Sequence, residues 1–588
     1  MTDSHRIRQF EGRAKQSLGL FASLTVSFLL LCLPAVGQDR ASVVIDLSRA
    51  VGTLTDASIG VPAAMSDSQS FEPDMLPYLR AAGIRSLRYP GSPGTADLYH
   101  WSTNTLIVKK DGAGPNLLAS GTDFGHFALF AEQLGQPVIV VNYGTNYDGS
   151  GGGEAVEAAA WVAYANGDPA NSHELGKDST GKDWHTVYYW ATLRGESPLA
   201  NDDGLNFLRL NHPKPFGFKF WQIGDEPYNN GYPGGDQASN PNLYGPPIPG
   251  KPYREKLTRT VALSPDSYAH KLALFAKAMK AVDPSIQIGA GLTIRPFPGI
   301  YVKVSDQDIW LQRNLASWNQ GVLKSACESF DFVVLPWFLQ PLRVSNWHLN
   351  EPYLLDNVNL NLANPLHTNS ARELVDKGYG TFDDPSTSLA FIQYGLSRAT
   401  SGYCPKDHFV RVAFAPSGIG DWIKVDHPVV EALWVADFYA FLIESQVMNV
   451  DWSDGRERHG TSMLSADPNK FGPAYYGLQM LHVVAYAPGD RFLDVKSSSA
   501  LVGAHATYRQ DGYTGIMLVN KDPKYAVTVK VTLKHGSIGA SGKRFDYGNA
   551  QYADGKPAAE SKFSASGDEF TVTVPPYTIT DILLPAHK

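Results

Sequence analysis

The sequence predicts an α/β chain: a (β/α)8 TIM barrel with a C-terminal antiparallel β-sandwich. Three observations carry that expectation. From about residue 56, apolar runs of strand length alternate with longer helical patterns, and eight such repeats follow one another. After about residue 485 the helical patterns stop, and short alternating strands recur between turns. The chain has 588 residues, 43% of them hydrophobic, which excludes one small domain and suffices for a large core.

In chain order, residues 1–37 read as a secretory signal. Arg6, Arg8, Arg13 and Lys15 precede an apolar run from Leu18 to Leu33, and Ala35-Val36-Gly37 is a small-x-small cleavage site. About sixteen apolar residues are short for a membrane span. Cleavage removes four basic and two acidic residues and leaves 46 against 56, a net charge of −10. An acidic, exported chain, secreted or periplasmic, is a poor partner for nucleic acid, and without its signal it has no membrane attachment. Residues 38–55, with the run ASVVIDLS, are expected to give the sandwich an extra strand; the barrel should fill 56–484 and the sandwich 485–588.

The eight barrel strands are read as SIGVPAA (Ser58–Ala64), GIRSLRYPG (Gly83–Gly91), QPVIVVNYGTN (Gln136–Asn146), FKFWQIG (Phe218–Gly224), SIQIGAGL (Ser285–Leu292), FDFVVLPWF (Phe330–Phe338), FVRVAFAPSG (Phe409–Gly418) and VMNVDWSD (Val447–Asp454). The sandwich strands are SALVGAHATYR, GYTGIMLVNK, AVTVKVTL and EFTVTVPPYTITDILLP. The 12 Trp, 28 Tyr and 27 Phe serve equally as sugar-stacking faces or as core. Cys327 and Cys404, the cysteines left after cleavage, either pair or stay as buried thiols.

Barrel strands present their C-terminal ends to a common mouth, so the residues there are the site candidates. They are Arg88, Asn142, Asp225, Glu226, Pro336, Trp337, Trp452 and Asp454, with Tyr228 just beyond Glu226 as a further substrate-binding candidate. Each has a structural reading: Arg88 as a core arginine paired with a carboxylate, Asn142 as a turn cap, the tryptophans as packing. Carboxylates, polar groups and aromatics at one barrel end are also what glycoside hydrolysis uses. There one carboxylic acid protonates the leaving oxygen, and a second carboxylate attacks the sugar or activates water. Glu226 is the natural acid, and an anion at Asp225 would raise its pKa. No H-E-x-x-H, C-x-x-C pair or G-x-S-x-G occurs, and the 16 histidines are scattered, so neither metal nor cofactor is expected.

WQIGDEP resembles the W-x-I-G-N-E-P of barrel glycosidases whose acid/base Glu ends the fourth strand. LRYPGSPGTADLYHW (Leu87–Trp101), VNYGTN with EAAAWVAYAN (Glu157–Asn166), and FDFVVLPWF are similar to the second, third and sixth strands of α-L-arabinofuranosidases, where His and Tyr usually replace Pro336 and Trp337. The resemblance implies an O-glycosyl hydrolase acting on oligo- or polysaccharide, with Glu226 as acid. Two positions depart from the pattern. The Asn that normally precedes the acid is Asp225, and the Thr-Glu pair that ends strand seven, with the nucleophile, is absent from VRVAFAPSG. Three explanations stay open: a second carboxylate from Asp421, or from Asp454 or Glu457; Asp225 itself acting with Glu226; or a cleft that binds sugar without cleaving it.

Overall fold

The computed structural model describes residues 40–91, 93–107, 118–147, 152–227, 265–293, 318–339, 396, 400–405, 408–419, 427–452, 471–499, 501–539 and 541–587. The secretory signal expected over residues 1–37 lies outside them.

The chain opens with β1 (Arg40–Thr53), then enters the barrel with β2 (Ile59–Pro62) and β3 (Ser86–Tyr89). A small hairpin, β4 (Tyr99–His100) and β5 (Thr105–Leu106), precedes β6 (Val138–Val141) and β7 (Phe220–Ile223). The barrel then runs through β8 (Gln287–Gly291), β9 (Phe332–Leu339), β10 (Arg411–Ile419) and β11 (Asn449–Trp452). These eight strands close in the order β2-β3-β6-β7-β8-β9-β10-β11, every described pairing parallel. The expected (β/α)8 barrel is therefore present, and each expected strand run coincides with one of its strands, β9 and β10 extending one residue beyond theirs.

The strands are short because both faces are covered, as near-continuous apolar runs require. Their outer faces meet helices, among them α1 (Met75–Ala81), α3 (Phe124–Leu134), α4 (Ala155–Asn166), α6 (Pro265–Val282), α7 (Val429–Glu444) and α8 (Pro473–Val484). Two shorter helices, α2 (Pro93–Ala96) and α5 (Val187–Leu193), lie in connections. Asp123 starts α3 by accepting a hydrogen bond from the His126 amide, 3.1 Å, which satisfies a donor the helix itself cannot. Seven tryptophans, including Trp101, Trp161 and Trp221, are under 2% exposed, so most of the Trp supply is core.

The barrel interior has two layers. A period of two along each strand sends alternate residues inward. Val138, Phe220, Phe332, Ala413 and Met448 form an apolar floor toward the strand starts. Above it lie polar side chains: Ser86 and Arg88 on β3, Gln222 on β7, Asn449 and Asp451 on β11. Gly60 on β2 makes room for them, since a Cβ there would stand 1.9 Å from Asp451 Oδ1.

The C-terminal region is one curled sheet of ten strands: β12 (Arg491–Ser497), β13 (Val502–Tyr508), β14 (Tyr513–Asn520), β15 (Val527–Lys534), β16 (Ser537–Ile538), β17 (Gly542–Gly548), β18 (Ala559–Phe563), β19 (Glu569–Val574), β20 (Thr578–His587), and β1. It folds over its own core, with Val43, Ile45, Leu493, Ile516, Val529 and Ile582 inside. β1 lies between β12, to which it is antiparallel, and β15, to which it is parallel. All other described pairings in the sheet are antiparallel. Cys327 and Cys404 form a disulfide, Cα–Cα 5.4 Å.

Candidate active site

Glu226 follows the fourth barrel strand, β7, at its C-terminal end, and is half-buried. The turn that carries it is unusual. Gly224 has φ 71° and Glu226 φ 48°, both in the left-handed region. Gly224 has no alternative residue: a Cβ there would meet Tyr143 Cβ at 2.8 Å. For Glu226 the conformation costs roughly 1–3 kcal/mol and persists only where surroundings impose it.

Those surroundings are visible atom by atom. The Gly224 amide donates to Val141 O, 3.0 Å, and Gln222 Nε2 donates to Gly224 O, 2.8 Å. The Asp225 amide donates to Asp97 Oδ2, 3.3 Å. Arg88 donates from Nη2 to Asp225 Oδ1 at 2.7 Å and from Nη1 to Oδ2 at 3.3 Å. The same guanidinium reaches Gln222 Oε1 from Nη2 at 3.1 Å. The groups that hold the turn come from β3 and the loop after it, from β6, and from Gln222 of β7 itself.

Arg88 is 0% exposed, its guanidinium engaged with Asp225 and Gln222 inside the barrel, which agrees with its structural reading as a core arginine paired with a carboxylate. Asp225 is 1% exposed and paired with Arg88, so its charge is compensated inside the barrel. β3 and β7 are not neighbours in the barrel, since β6 lies between them, and their inward faces bring Arg88 and Asp225 together across the interior.

Asn142 is 4% exposed; its Nδ2 donates to Tyr99 O and Thr145 Oγ1, both 3.1 Å, and its Oδ1 accepts from the Thr145 amide, 3.0 Å. These bonds cap the loop after β6, in line with its structural reading. Beside it His100 Nδ1 hydrogen-bonds Glu157 Oε1, 2.9 Å, which ties the β4 strand to the first turn of α4. Trp452 is 1% exposed and packs on Trp434 and Tyr439 of α7, ring centroids 5.8 and 6.4 Å apart. Alternation explains it: Asn449 and Asp451 point inward, so Val450 and Trp452 point to the helix.

Trp337 lies on β9, its backbone in register with Ser417 of β10. Tyr228, Asp421, Asp454 and Glu457 lie outside the described residues. β10 occupies the seventh barrel position, and its residues RVAFAPSGI contain no carboxylate.

Two carboxylates of the site escape the sequence reading. Asp97, 1% exposed, accepts from the Tyr143 amide at Oδ1, 3.0 Å, besides Asp225. Burial and the nearby Asp225 raise its pKa to about 7. Asp451 sits inside the barrel near Arg88, and burial, opposed by Arg88 and Asn449, raises it to about 7. The N-x-D spacing on β11 would place Asn449 and Asp451 on one face, and Asp97 interrupts an otherwise apolar stretch before Trp101. Among the described residues no group of three or more His, Cys, Asp or Glu side chains could hold a metal ion.

No protein-family model matches the chain. In sequence it is similar to the probable alpha-L-arabinofuranosidase C of Aspergillus fumigatus, 27% identical over 230 residues, 38% of this chain and 33% of that protein. The alpha-L-arabinofuranosidase C of Emericella nidulans is 27% identical over the same shares. The chain thus spans about a third of the length of the curated relatives it matches. Among solved structures, the GH51 arabinofuranosidase from Xanthomonas axonopodis pv. citri superposes with TM-score 0.59 at 14% identity, over 93% of this chain and 99% of that one. A Paenibacillus polymyxa xyloglucanase from glycoside hydrolase family 44 gives 0.59 at 12% identity, over 93% and 100%. At such identities the structural likeness speaks for the fold: a barrel with a curled C-terminal sheet.

Proposed function

We propose that the chain is an arabinofuranosidase-like glycoside hydrolase that cleaves O-glycosidic bonds in arabinose-containing polysaccharide, with Glu226 as general acid. The observation that carries the reading is the clamped turn. Strain at a non-glycine residue, held by neighbouring barrel strands and the loop after β3 at a barrel mouth, is the setting in which folds hold a reacting group. The sequence similarity to α-L-arabinofuranosidases supports the reaction class. In this role the Glu226 carboxyl donates its proton to the departing oxygen, and its fixed backbone limits the positions from which it does so. The second carboxylate would come from Asp421, Asp454 or Glu457.

We also propose that the protein is exported, secreted or periplasmic, on the strength of the signal-like residues 1–37. The Cys327–Cys404 disulfide supports that placement, because such bonds persist in oxidising compartments.

A second reading is favoured by one feature: β10 brings no carboxylate to the seventh barrel position. Under it the same cleft binds sugar chains without cutting them. Glu226→Gln separates the readings. As a hydrolase, the variant should lose about 10²–10⁴-fold in kcat/KM on an aryl arabinofuranoside with a poor leaving group. Unchanged turnover would remove Glu226 from the reaction. Calorimetric binding of arabinan fragments by a wild type that releases no reducing ends would establish the second reading.

A further inference from the structure

We propose that Asp97 is the positioning residue that sets the pose of Glu226, a role that rests on the hydrolase reading. Asp97 belongs to the loop after β3, directly behind α2, yet both its carboxylate oxygens serve other loops. Oδ1 accepts from the Tyr143 amide, after β6, at 3.0 Å. Oδ2 accepts from the Asp225 amide, after β7, at 3.3 Å. Its main-chain carbonyl accepts from Thr145 Oγ1 at 3.1 Å. Three successive loops of the mouth converge on one buried side chain.

The bond to Asp225 matters most for Glu226. It fixes the amide between two left-handed positions, Gly224 and Glu226. Gly224 O and the Asp225 N–H belong to one planar peptide unit, so Gln222 Nε2 and Asp97 Oδ2 hold its two ends while Arg88 holds the Asp225 side chain. Asp225 is therefore gripped at both ends, backbone by Asp97 and side chain by Arg88. The next residue inherits its direction.

The residue type fits this task. Two amides need two acceptors on a short side chain, and only a carboxylate of this length offers both. Asparagine would satisfy one amide and set its own NH2 against the other. A carboxylate buried next to a second carboxylate is unfavourable, as its raised pKa reflects. Closeness of Gly144, whose Cβ would stand 2.4 Å from Asp97 O, keeps the loop after β6 against the clamp.

Leaving-group dependence tests the proposal. Two aryl α-L-arabinofuranosides are compared by kcat/KM: 2,4-dinitrophenyl, whose phenolate leaves without a proton, and 4-methoxyphenyl, which needs one. Glu226→Gln provides the reference pattern, a large loss on the methoxyphenyl glycoside and a small one on the dinitrophenyl glycoside. Asp97→Asn should reproduce it: a displacement of about 1 Å costs on the order of 10²-fold on the poor leaving group, and at least tenfold less on the good one. Should Asp97→Asn fail to fold, Asp97→Ser, which leaves room for a water between the two amides, carries the same comparison. Equal losses on both substrates, or none while Glu226→Gln keeps its pattern, overturn the role of Asp97 alone. A wild type inert on both substrates, or a Glu226→Gln variant without discrimination, overturns the hydrolase reading and Asp97's role with it.

Discussion

Arg88 and Asp225 form an ion pair with both side chains 1% exposed, 2.7 Å apart, inside a barrel. Replacing Arg88 with Met keeps most of the side-chain volume and removes the charge. Asp225 is then a buried carboxylate without its partner, a change that costs about 3–5 kcal/mol. Gln222 Oε1 loses its donor as well, worth about 1–3 kcal/mol alone. Because one guanidinium serves both, the two losses overlap, and the expected total is about 5 kcal/mol. Adding Asp225→Leu removes the stranded charge. Apolar replacement of a whole buried pair is often neutral, so the double variant should recover at least about 2 kcal/mol. Native-state hydrogen exchange at the β3 and β7 amides is the assay, since a chain with two hydrophobic cores need not unfold in one step. A loss under about 1 kcal/mol in Arg88→Met, or a double variant no better than the single, refutes the argument.

Two further outcomes concern stability. His505 on β13 lies between Glu444 and Asp437 of α7, 2.8 Å from each, and Lys521 pairs with Asp437. Burial alone would lower the His505 pKa, but Glu444 and Asp437 hold it up at about 10. Its contribution is full below the unfolded value of about 6.5 and is lost as pH rises through about 10. The melting temperature should therefore fall between pH 7 and 10, and His505→Gln should flatten that fall; an unchanged slope would exclude His505 as its source. The disulfide joins residues 77 apart, for which the chain-entropy model gives about 4–5 kcal/mol. Replacing both cysteines with Ser should lower the melting temperature by several degrees, and a shift under about 1 °C would contradict the model.

The barrel was legible because its signal is local. Each strand is a short apolar run, each helix has its own period, and eight repeats leave few alternatives. The mouth was legible too, since the end of a strand can be read along one segment, and Glu226 stands where FKFWQIG ends. What was not legible is which side chains meet across the interior. Arg88 and Asp225 are 137 positions apart, and nothing near either announces the other. Along the chain Asp225 reads as the electrostatic neighbour of Glu226; in three dimensions it is paired with the Arg88 guanidinium. Trp452 shows a simpler limit. Its place at a strand end drew it into the candidate set, while parity along β11 already turned it toward α7. Asn142 carries the same lesson for loops: an Asn at a strand end serves its own turn before it serves a ligand.

Strand β1 sits mid-sheet between β12 and β15, bonded to residues translated much later; Ser42 and Ser498 are 456 positions apart. In architecture the barrel is thus an insert spliced into the sheet, and the sheet is not contiguous along the polypeptide. The ribosome issues the sheet's inner strand first and its two flanking strands last. Until the final hundred residues emerge, that first strand has both edges open, and a barrel cut out at its own borders would strand it permanently. Engineering by swapping C-terminal modules must carry residues 40–53 along with the tail.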